Sequence, residues 1–257
     1  MANTIVNGTV FAEMVKDYVE GSGTLLQIAK ISDYQAETGT TVKIPKLGFL
    51  GEATEVVNGA TQFTDTNDVE ANVEFKQIQK GVRLTDLQLK GSLIDRNVEA
   101  RAEQTRDSIV AKLEADLLEA LDAEAPTMNV ASLSADTVLD AEGLLGQKLT
   151  QRQLYIVANG KVASALLRGV KQDKSAKATE VHDATIVRFD AVANDTFYLV
   201  QQDVLEVLVG KEIATEVFRE SDFAGDKIST SMVEGTYIND ESRAVKVVFE
   251  SADIIGE

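Results

Sequence analysis

Few side chains in the sequence could perform acid, base or nucleophilic chemistry. His182 is the only histidine, it stands beside Asp183 in a polar stretch, and the chain has no cysteine. A histidine base needs a nucleophile within hydrogen-bond reach, and no Gly-x-Ser-x-Gly motif provides one. We therefore predict no catalytic residue and interpret His182 as an exposed residue of a loop.

Binding sites for metals and nucleotides also lack the residues that they need. A single histidine, the absence of cysteine and the absence of an Asp-rich loop with calcium spacing argue against a metal site. Gly21-Ser22-Gly23 has neither the third glycine nor the preceding strand of a phosphate-binding loop, so we interpret it as a bend. We predict no cofactor.

Carboxyl groups are numerous enough to leave one enzymatic alternative open, a cytoplasmic acid/base hydrolase. Two carboxyl groups can cleave a glycosidic bond when one acts as the acid and the other as the base or nucleophile. Sites of that kind usually lie among aromatic side chains, which make up only 5% of this chain, with no tryptophan. The composition therefore disfavours an enzyme.

The most regular arrangement of charge is a row of four carboxylates, Asp95, Glu99, Glu103 and Asp107. Their spacing of four residues places them on one face of a helix. Like charges at this spacing destabilise an isolated helix by about 0.2–0.5 kcal/mol per pair. The acidic row is therefore either a solvated face or a surface that receives cations from a neighbouring copy of the chain.

The overall charge restricts the partners. The chain has 25 Lys and Arg against 42 Asp and Glu, which gives a formal charge of −17. Such a surface disfavours sequence-specific binding of nucleic acid and opposes self-association. We expect no membrane partner, because no apolar run approaches the roughly 20 residues of a membrane span. We also expect no secretion signal, because the first residues lack a basic region followed by an apolar one.

Hydrophobic periodicity predicts the elements that must position these charges. Alternating apolar residues predict strands at 41–46 and 69–84, the two arms of a hairpin, with a bend near Gln77 where the apolar phase changes. Ser92 is a candidate N-cap for a long helix, because apolar residues then recur at steps of three and four without glycine or proline. A helix of about 30 residues spans about 45 Å.

The rest of the chain alternates between short helices and strands. The patterns predict helices at 11–20, 134–145 and 161–168, and strands at 153–158, 185–189, 196–200, 214–219, 227–233 and 244–250. The last three strands need a partner for their apolar face, and the long helix can provide it.

One segment carries apolar side chains in a stretch that is too interrupted for a core element. TVKIPKLGFLGEATEVVNG, at 41–59, contains Leu47, Phe49 and Leu50 among one proline and three glycines. Exposed apolar groups of this kind typically mark an interaction surface. We infer that a second copy of the chain covers them.

Four segments together resemble the major capsid protein of tailed phages, which has the Hong-Kong-97-like fold. They are TVKIPKLGFLGEATEVVNGATQF, VEFKQIQKGVRLTDLQLKGS, SIVAKLEADLLEALDAE and QLYIVANGKVASALLRG, and they follow one another in the expected order. The resemblance implies an α+β fold with an N-terminal arm at 1–36, an extended β-hairpin loop at 37–80, a peripheral domain at 81–126 and 213–257 that contains a spine helix at 93–123, and an axial α/β domain at 127–212.

The resemblance also implies a structural function. In this family, hexamers and pentamers close into an icosahedral shell around double-stranded DNA. The chain would then be a homo-oligomer of the virion, assembled in the host cytoplasm, that contacts packaged DNA without sequence specificity. Portal, scaffolding or decoration proteins would be further partners. An encapsulin-like bacterial compartment with the same fold is the alternative.

The extended loop of this family lies across a neighbouring subunit, and this identifies candidate interface residues. On the loop they are Lys43, Lys46, Leu47, Phe49 and Leu50. On the spine helix they are the acidic row, for which the two lysines are the candidate cations. Some members of the family join a lysine to an asparagine covalently, but we assign no such role to either lysine.

Overall fold

The computed structural model describes residues 6–21, 23–46, 69–89, 94–134, 136–145, 153–170, 180–219 and 224–251. Over these residues the chain is a mixed α+β structure, as predicted. Its helices are α1 (Gly8–Gly21), α2 (Ile94–Glu124), α3 (Asp136–Leu144) and α4 (Gly160–Val170). Its strands are β1 (Lys30–Asp33), β2 (Thr41–Lys46), β3 (Val69–Glu74), β4 (Lys76–Thr85), β5 (Thr127–Ser132), β6 (Leu154–Ala158), β7 (Glu180–Val181), β8 (Ala184–Arg188), β9 (Thr196–Gln201), β10 (Leu205–Phe218), β11 (Gly225–Ile238) and β12 (Ala244–Ser251). None of the described helices is long and apolar enough to cross a membrane.

The long helix α2 forms where the sequence predicts the spine. It contains 31 residues, which corresponds to about 46 Å at 1.5 Å per residue. The predicted N-cap, Ser92, lies outside the described residues. The buried side of α2 includes Ala102, Thr105, Ile109, Leu113, Leu117 and Leu121, which recur at steps of three and four, and also Val110. This continuous stripe is the surface on which other elements pack.

A four-stranded sheet packs against α2. Its order is β1-β10-β11-β4, in which β1 is parallel to β10 and the other pairs are antiparallel. Helix α1 contacts both α2 and β10, and its Phe11 and Val15 are fully buried in the shared core. One core therefore joins the N-terminal helix, the spine helix and the sheet.

The predicted hairpin is present, but its second arm is shorter than predicted. Strands β2 and β3 pair antiparallel. The chain leaves the hairpin at Phe75, whose N–H donates to Thr40 at 2.9 Å and whose carbonyl accepts from Gly39 at 2.8 Å. Strand β4 then pairs with β11. Residues 76–80, which were predicted in the extended loop, thus belong to the four-stranded sheet, and the change of apolar phase marks the transfer between two sheets.

The second large sheet has six strands in the order β5-β12-β9-β6-β8-β7. Helix α4 packs against β6, β7 and β8, and helix α3 packs against β9 and β12. The core between them is separate from the spine-helix core and includes Ile156, Val162, Leu166, Phe197 and Val247. The opposite face of the same sheet contributes Val157, Tyr198, Val200 and Ala244 to the spine-helix core.

Strand β12 lies in the C-terminal segment 213–257, which the resemblance assigns to the peripheral domain. It pairs parallel with β5 and antiparallel with β9 in the six-stranded sheet, whereas β10 and β11 belong to the four-stranded sheet. Strand β5 was not predicted, because its inward side chains are only half-buried and its apolar pattern is weak. The sheet that a strand joins depends on pairing partners that are distant in the sequence, and the local hydrophobic pattern does not identify those partners.

Two glycines allow the hairpin and the four-stranded sheet to approach closely. A Cβ at Gly210 would lie 2.8 Å from Cδ1 of Phe75 and 2.9 Å from the backbone oxygen of Ala36. A Cβ at Gly235 would lie 2.7 Å from Cγ1 of Val73. Both distances are shorter than real Cβ contacts, so a larger residue would push the hairpin away from the sheet.

We predict that Gly210→Ala destabilises the fold by about 1–3 kcal/mol, the usual cost of overpacking. The reason is that the Ala36 carbonyl belongs to the backbone and cannot rotate away as a side chain can. Gly81→Ala in β4 is the matched control, since nothing lies within 4 Å of its Cβ position. Urea unfolding measures both variants, and equal stability would show that the contact does not limit packing.

Candidate subunit-interface site

The described part of the hairpin rests on its own chain through an apolar face. Val42 and Ile44 of β2 and Val73 of β3 belong to a small cluster with Phe75. The ring of Tyr34 stacks on Phe75 with centroids 5.7 Å apart. The base of the predicted extended loop is therefore anchored within the subunit, whereas Leu47, Phe49 and Leu50 lie outside the described residues.

Lys46 fastens the end of β2 to the end of the spine helix. Its Nζ lies 2.7 Å from Oε2 of Glu124 and also binds Glu241, and its side chain is only 14% exposed. Burial lowers the pKa of Lys46, but the hydrogen bonds to Glu124 and Glu241 outweigh burial and hold the pKa above its ordinary 10.5. This predicted interface lysine thus has two partners within its own chain.

Lys43 is more accessible than Lys46. Its Nζ lies 2.7 Å from Oε2 of Glu70 on β3, and the lysine and glutamate side chains are 68% and 54% exposed. The hydrogen bond from Lys43 to Glu70 raises the pKa of the lysine. Since exposed ion pairs contribute little to stability, this pair leaves Lys43 available to a second carboxylate.

The acidic row lies on the exposed side of α2, as its spacing predicts. Asp95, Glu99, Glu103 and Asp107 are all exposed. Asp107 accepts hydrogen bonds from the neighbouring Arg106 at 2.6 and 2.7 Å. The other three carboxylates have no ion-pair partner within the part of the chain that the structure describes. The structure does not bring the row together with either lysine in one subunit.

The acidic second half of α2 is used within the subunit. Asp122 binds Nζ of Lys246 on β12 and the hydroxyl of Tyr198 on β9, both at 2.5 Å. The hydrogen bond from Lys246, followed by that from Tyr198, lowers the pKa of Asp122. Glu114 accepts the backbone N–H of Leu25 at 2.7 Å and that of Thr24. Acids near a helix C-terminus oppose the helix dipole, and here other elements supply compensating donors.

Two exposed apolar residues at one end of the four-stranded sheet were not predicted. Leu87 is 83% exposed in the turn after β4, and Phe218 is 48% exposed at the end of β10. Between them, Arg219 binds both carboxylate oxygens of Asp86 at 2.8 Å and reaches Asp226 at 3.3 Å. The only sequence signal was an apolar residue in a polar turn, which by itself is common.

His182 is exposed in the turn between β7 and β8, with a positive φ of 47°. Over the described ranges, no group of three or more His, Cys, Asp or Glu residues could hold a metal ion. The charged contacts around the hairpin and the spine helix join elements that are distant in the sequence.

The N-terminal helix, the hairpin, the spine helix with its sheet and the six-stranded unit together define the Hong-Kong-97-like capsid fold. No protein-family model and no curated protein sequence matches the chain. The fold is therefore established by three-dimensional similarity.

Several solved structures share this fold over nearly the whole chain. The virus-like particle from Pyrococcus furiosus has a TM-score of 0.66 at 13% identity and covers 93% of this chain and 98% of its own. The capsid of the cyanophage P-SCSP1u has a TM-score of 0.64 at 12% identity, with coverages of 90% and 89%. The capsid of the native GTA particle has a TM-score of 0.64 at 14% identity, with coverages of 89% and 90%.

We predict that Lys46→Met loosens the hairpin from the spine helix, because Glu124 and Glu241 then face each other without a cation. The loss is about 1 kcal/mol, the upper range for a partly exposed ion pair. Hydrogen exchange of residues 41–46 and 69–74 measures it. Lys43→Met is the matched control on the same strand and should leave the exchange nearly unchanged; an equal effect of both variants would contradict the assigned anchor.

The same anchor should respond to high pH. A lysine whose pKa is raised on folding contributes stability that is complete below the unfolded value of 10.5 and is lost as the pH rises through the folded value. The rate of amide hydrogen exchange in the hairpin should therefore increase more steeply above pH 10.5 in the wild type than in Lys46→Met. Parallel pH curves would show that the ion pairs do not hold the hairpin.

Proposed function

We propose that this chain is the major capsid protein of a tailed phage, which assembles as hexamers and pentamers into an icosahedral shell around double-stranded DNA. The observation that carries the proposal is the extent of the fold similarity, which reaches 93% of this chain and 98% of the virus-like-particle chain. Because almost the whole chain is a shell-forming fold, little of it is left for a catalytic domain. The proposed role is structural rather than enzymatic.

Assembly of so acidic a chain needs close contacts that overcome repulsion from a charge of −17. The exposed Leu87 and Phe218 supply apolar area at one end of the four-stranded sheet. The sequence supplies three further apolar candidates, Leu47, Phe49 and Leu50. We propose that neighbouring copies cover these side chains, since burial of apolar area is the main favourable term in association.

The acidic row and Lys43 form the proposed polar contact between subunits. Lys46 is held by two carboxylates of its own chain, but Lys43 is 68% exposed. The row is exposed along α2 of every subunit. In this proposal, Lys43 at the base of one extended loop meets the row of its neighbour, and the contact weakens with added salt.

Further partners belong to the same proposal. Portal, scaffolding or decoration proteins would join the shell, and the mature location would be the virion after assembly in the host cytoplasm. The packaged DNA would contact the wall without sequence specificity, because an acidic wall repels phosphate and does not retain the genome.

An encapsulin-like compartment is the second candidate, and one observation favours it. The virus-like particle of similar fold comes from Pyrococcus furiosus, and its description mentions no phage. The contents of particles purified from their natural source separate the two functions. Nuclease-resistant DNA of uniform length supports the phage capsid, whereas an enclosed protein without DNA supports the compartment.

Electron microscopy of the purified protein tests the proposed assembly directly. We expect rings of five or six subunits, or closed shells, at micromolar concentration and physiological salt. The proposed shell function would be refuted if the protein stayed monomeric at every protein and salt concentration tested, with or without co-expressed neighbouring gene products.

We predict that Lys43→Glu raises the critical concentration for assembly several-fold, because it places a carboxylate against the acidic row. Combining it with Glu99→Lys and Glu103→Lys should restore assembly. Glu70→Gln is the control, since it removes only the partner of Lys43 within the subunit. Light scattering measures assembly, and unchanged assembly of Lys43→Glu would exclude this contact while leaving the shell function intact.

A further inference from the structure

Two carboxyl groups are buried together where the spine helix meets the four-stranded sheet. Asp116 of α2 is 4% exposed and Glu234 of β11 is 1% exposed. Their side chains are close enough to share a hydrogen bond. This pair lies in the interface between the helix and the sheet and has no part in the contacts assigned above to assembly.

Hydrogen bonding at the pair is incomplete if both groups are ionised. Oδ2 of Asp116 and Oε2 of Glu234 have no hydrogen-bond partner among the described residues. Oδ1 of Asp116 lies 2.6 Å from Nζ of Lys112. A buried acceptor without a donor is costly, and a proton on one of the carboxyl groups supplies the missing donor.

The neighbouring charges assign the proton to Glu234. Lys112 donates a hydrogen bond directly to Asp116. Lys76 of β4 lies opposite Glu234 in the sheet but is itself exposed. The charge of Glu119, on the same helix as Lys112, helps to raise the pKa of that lysine. The residue opposite Glu234 on β10 is Val209, which is apolar. No cation binds Glu234 within the described residues.

The physical cause is the burial of two like charges. Burial is the main factor that raises the pKa of Glu234, the charge of Asp116 adds to it, and Lys76 and Lys112 oppose it, leaving the pKa at about 7. Two adjacent carboxylates in a low dielectric cannot both ionise without a large penalty. Near neutral pH the pair therefore gains or loses one proton.

We propose that Asp116 and Glu234 form a proton-binding site that fastens the spine helix to the four-stranded sheet when it holds one proton and weakens this attachment when it is empty. The inference goes beyond the proposed shell function and does not depend on it. Its ligand is the proton, and its effect is local to α2 and β11.

The sign of the pH effect follows from linkage. Glu234 binds a proton more tightly in the folded state than at its ordinary value of 4.5. Its stabilising effect is therefore complete below pH 4.5, decreases as the pH rises through about 7 and is constant above that. A shift of this size corresponds to a change on the order of a hundredfold in the opening equilibrium.

Hydrogen exchange across pH 5 to 8.5, corrected for intrinsic rates, tests the proposal on the full-length protein in whatever assembly it adopts. In the wild type, protection of α2 around Asp116 and of β11 around Glu234 should fall by on the order of a hundredfold. Glu234→Gln, which resembles the protonated acid, should hold its protection constant and exceed the wild type at pH 8. Asp116→Asn should shift the loss of protection to lower pH.

Two control variants separate this site from other titrating groups. Glu142→Gln removes an exposed carboxylate of helix α3, and His182→Gln removes the only histidine, the residue type that ordinarily titrates in this range. Both should follow the wild-type curve. A flat wild-type curve, or a full pH dependence retained in Glu234→Gln, would overturn the proposal. Since exchange is read locally, either result is distinct from a failure to form shells.

Discussion

The structure depends on the neutralisation of an acidic helix that must be buried along one side. Four of the five carboxylates in the second half of α2 contact other elements of the subunit. Glu114 accepts N–H groups of the turn after α1, Asp116 contacts β11 through Glu234, Asp122 binds β9 and β12, and Glu124 holds the hairpin. Because a buried charge without a partner is strongly unfavourable, these contacts also specify where each element sits on the spine.

The two halves of the helix therefore have different relations to solvent. The second half directs most of its carboxylates into the subunit, where lysines, backbone N–H groups and a tyrosine of the same chain contact them. The first half keeps the acidic row exposed, so in a shell of repeated subunits a neighbour would meet this charge first. Internal architecture and proposed assembly thus use separate parts of one element.

Much of the local structure could be predicted from the sequence. The spine helix, predicted at 93–123, is observed at 94–124. A long apolar stripe with a period near 3.6 residues, uninterrupted by glycine or proline, is compatible only with a helix. The candidate site was less predictable. The spacing of Asp95, Glu99, Glu103 and Asp107 correctly placed them on one exposed face, but nothing local to Lys46 indicated that Glu124 and Glu241, distant in the sequence, would bind it.

The sequence by itself determined the type and order of the elements, the acidic character of the spine and the family resemblance, since these follow from neighbouring residues. Only the tertiary structure decided that β12 joins the six-stranded sheet, that the strand after Phe75 leaves the hairpin for β11, and that Asp116 and Glu234 become neighbours. The physical reason is that strand pairing and charge burial are contacts between residues far apart in the chain, and their energies depend on which surfaces the whole fold removes from water.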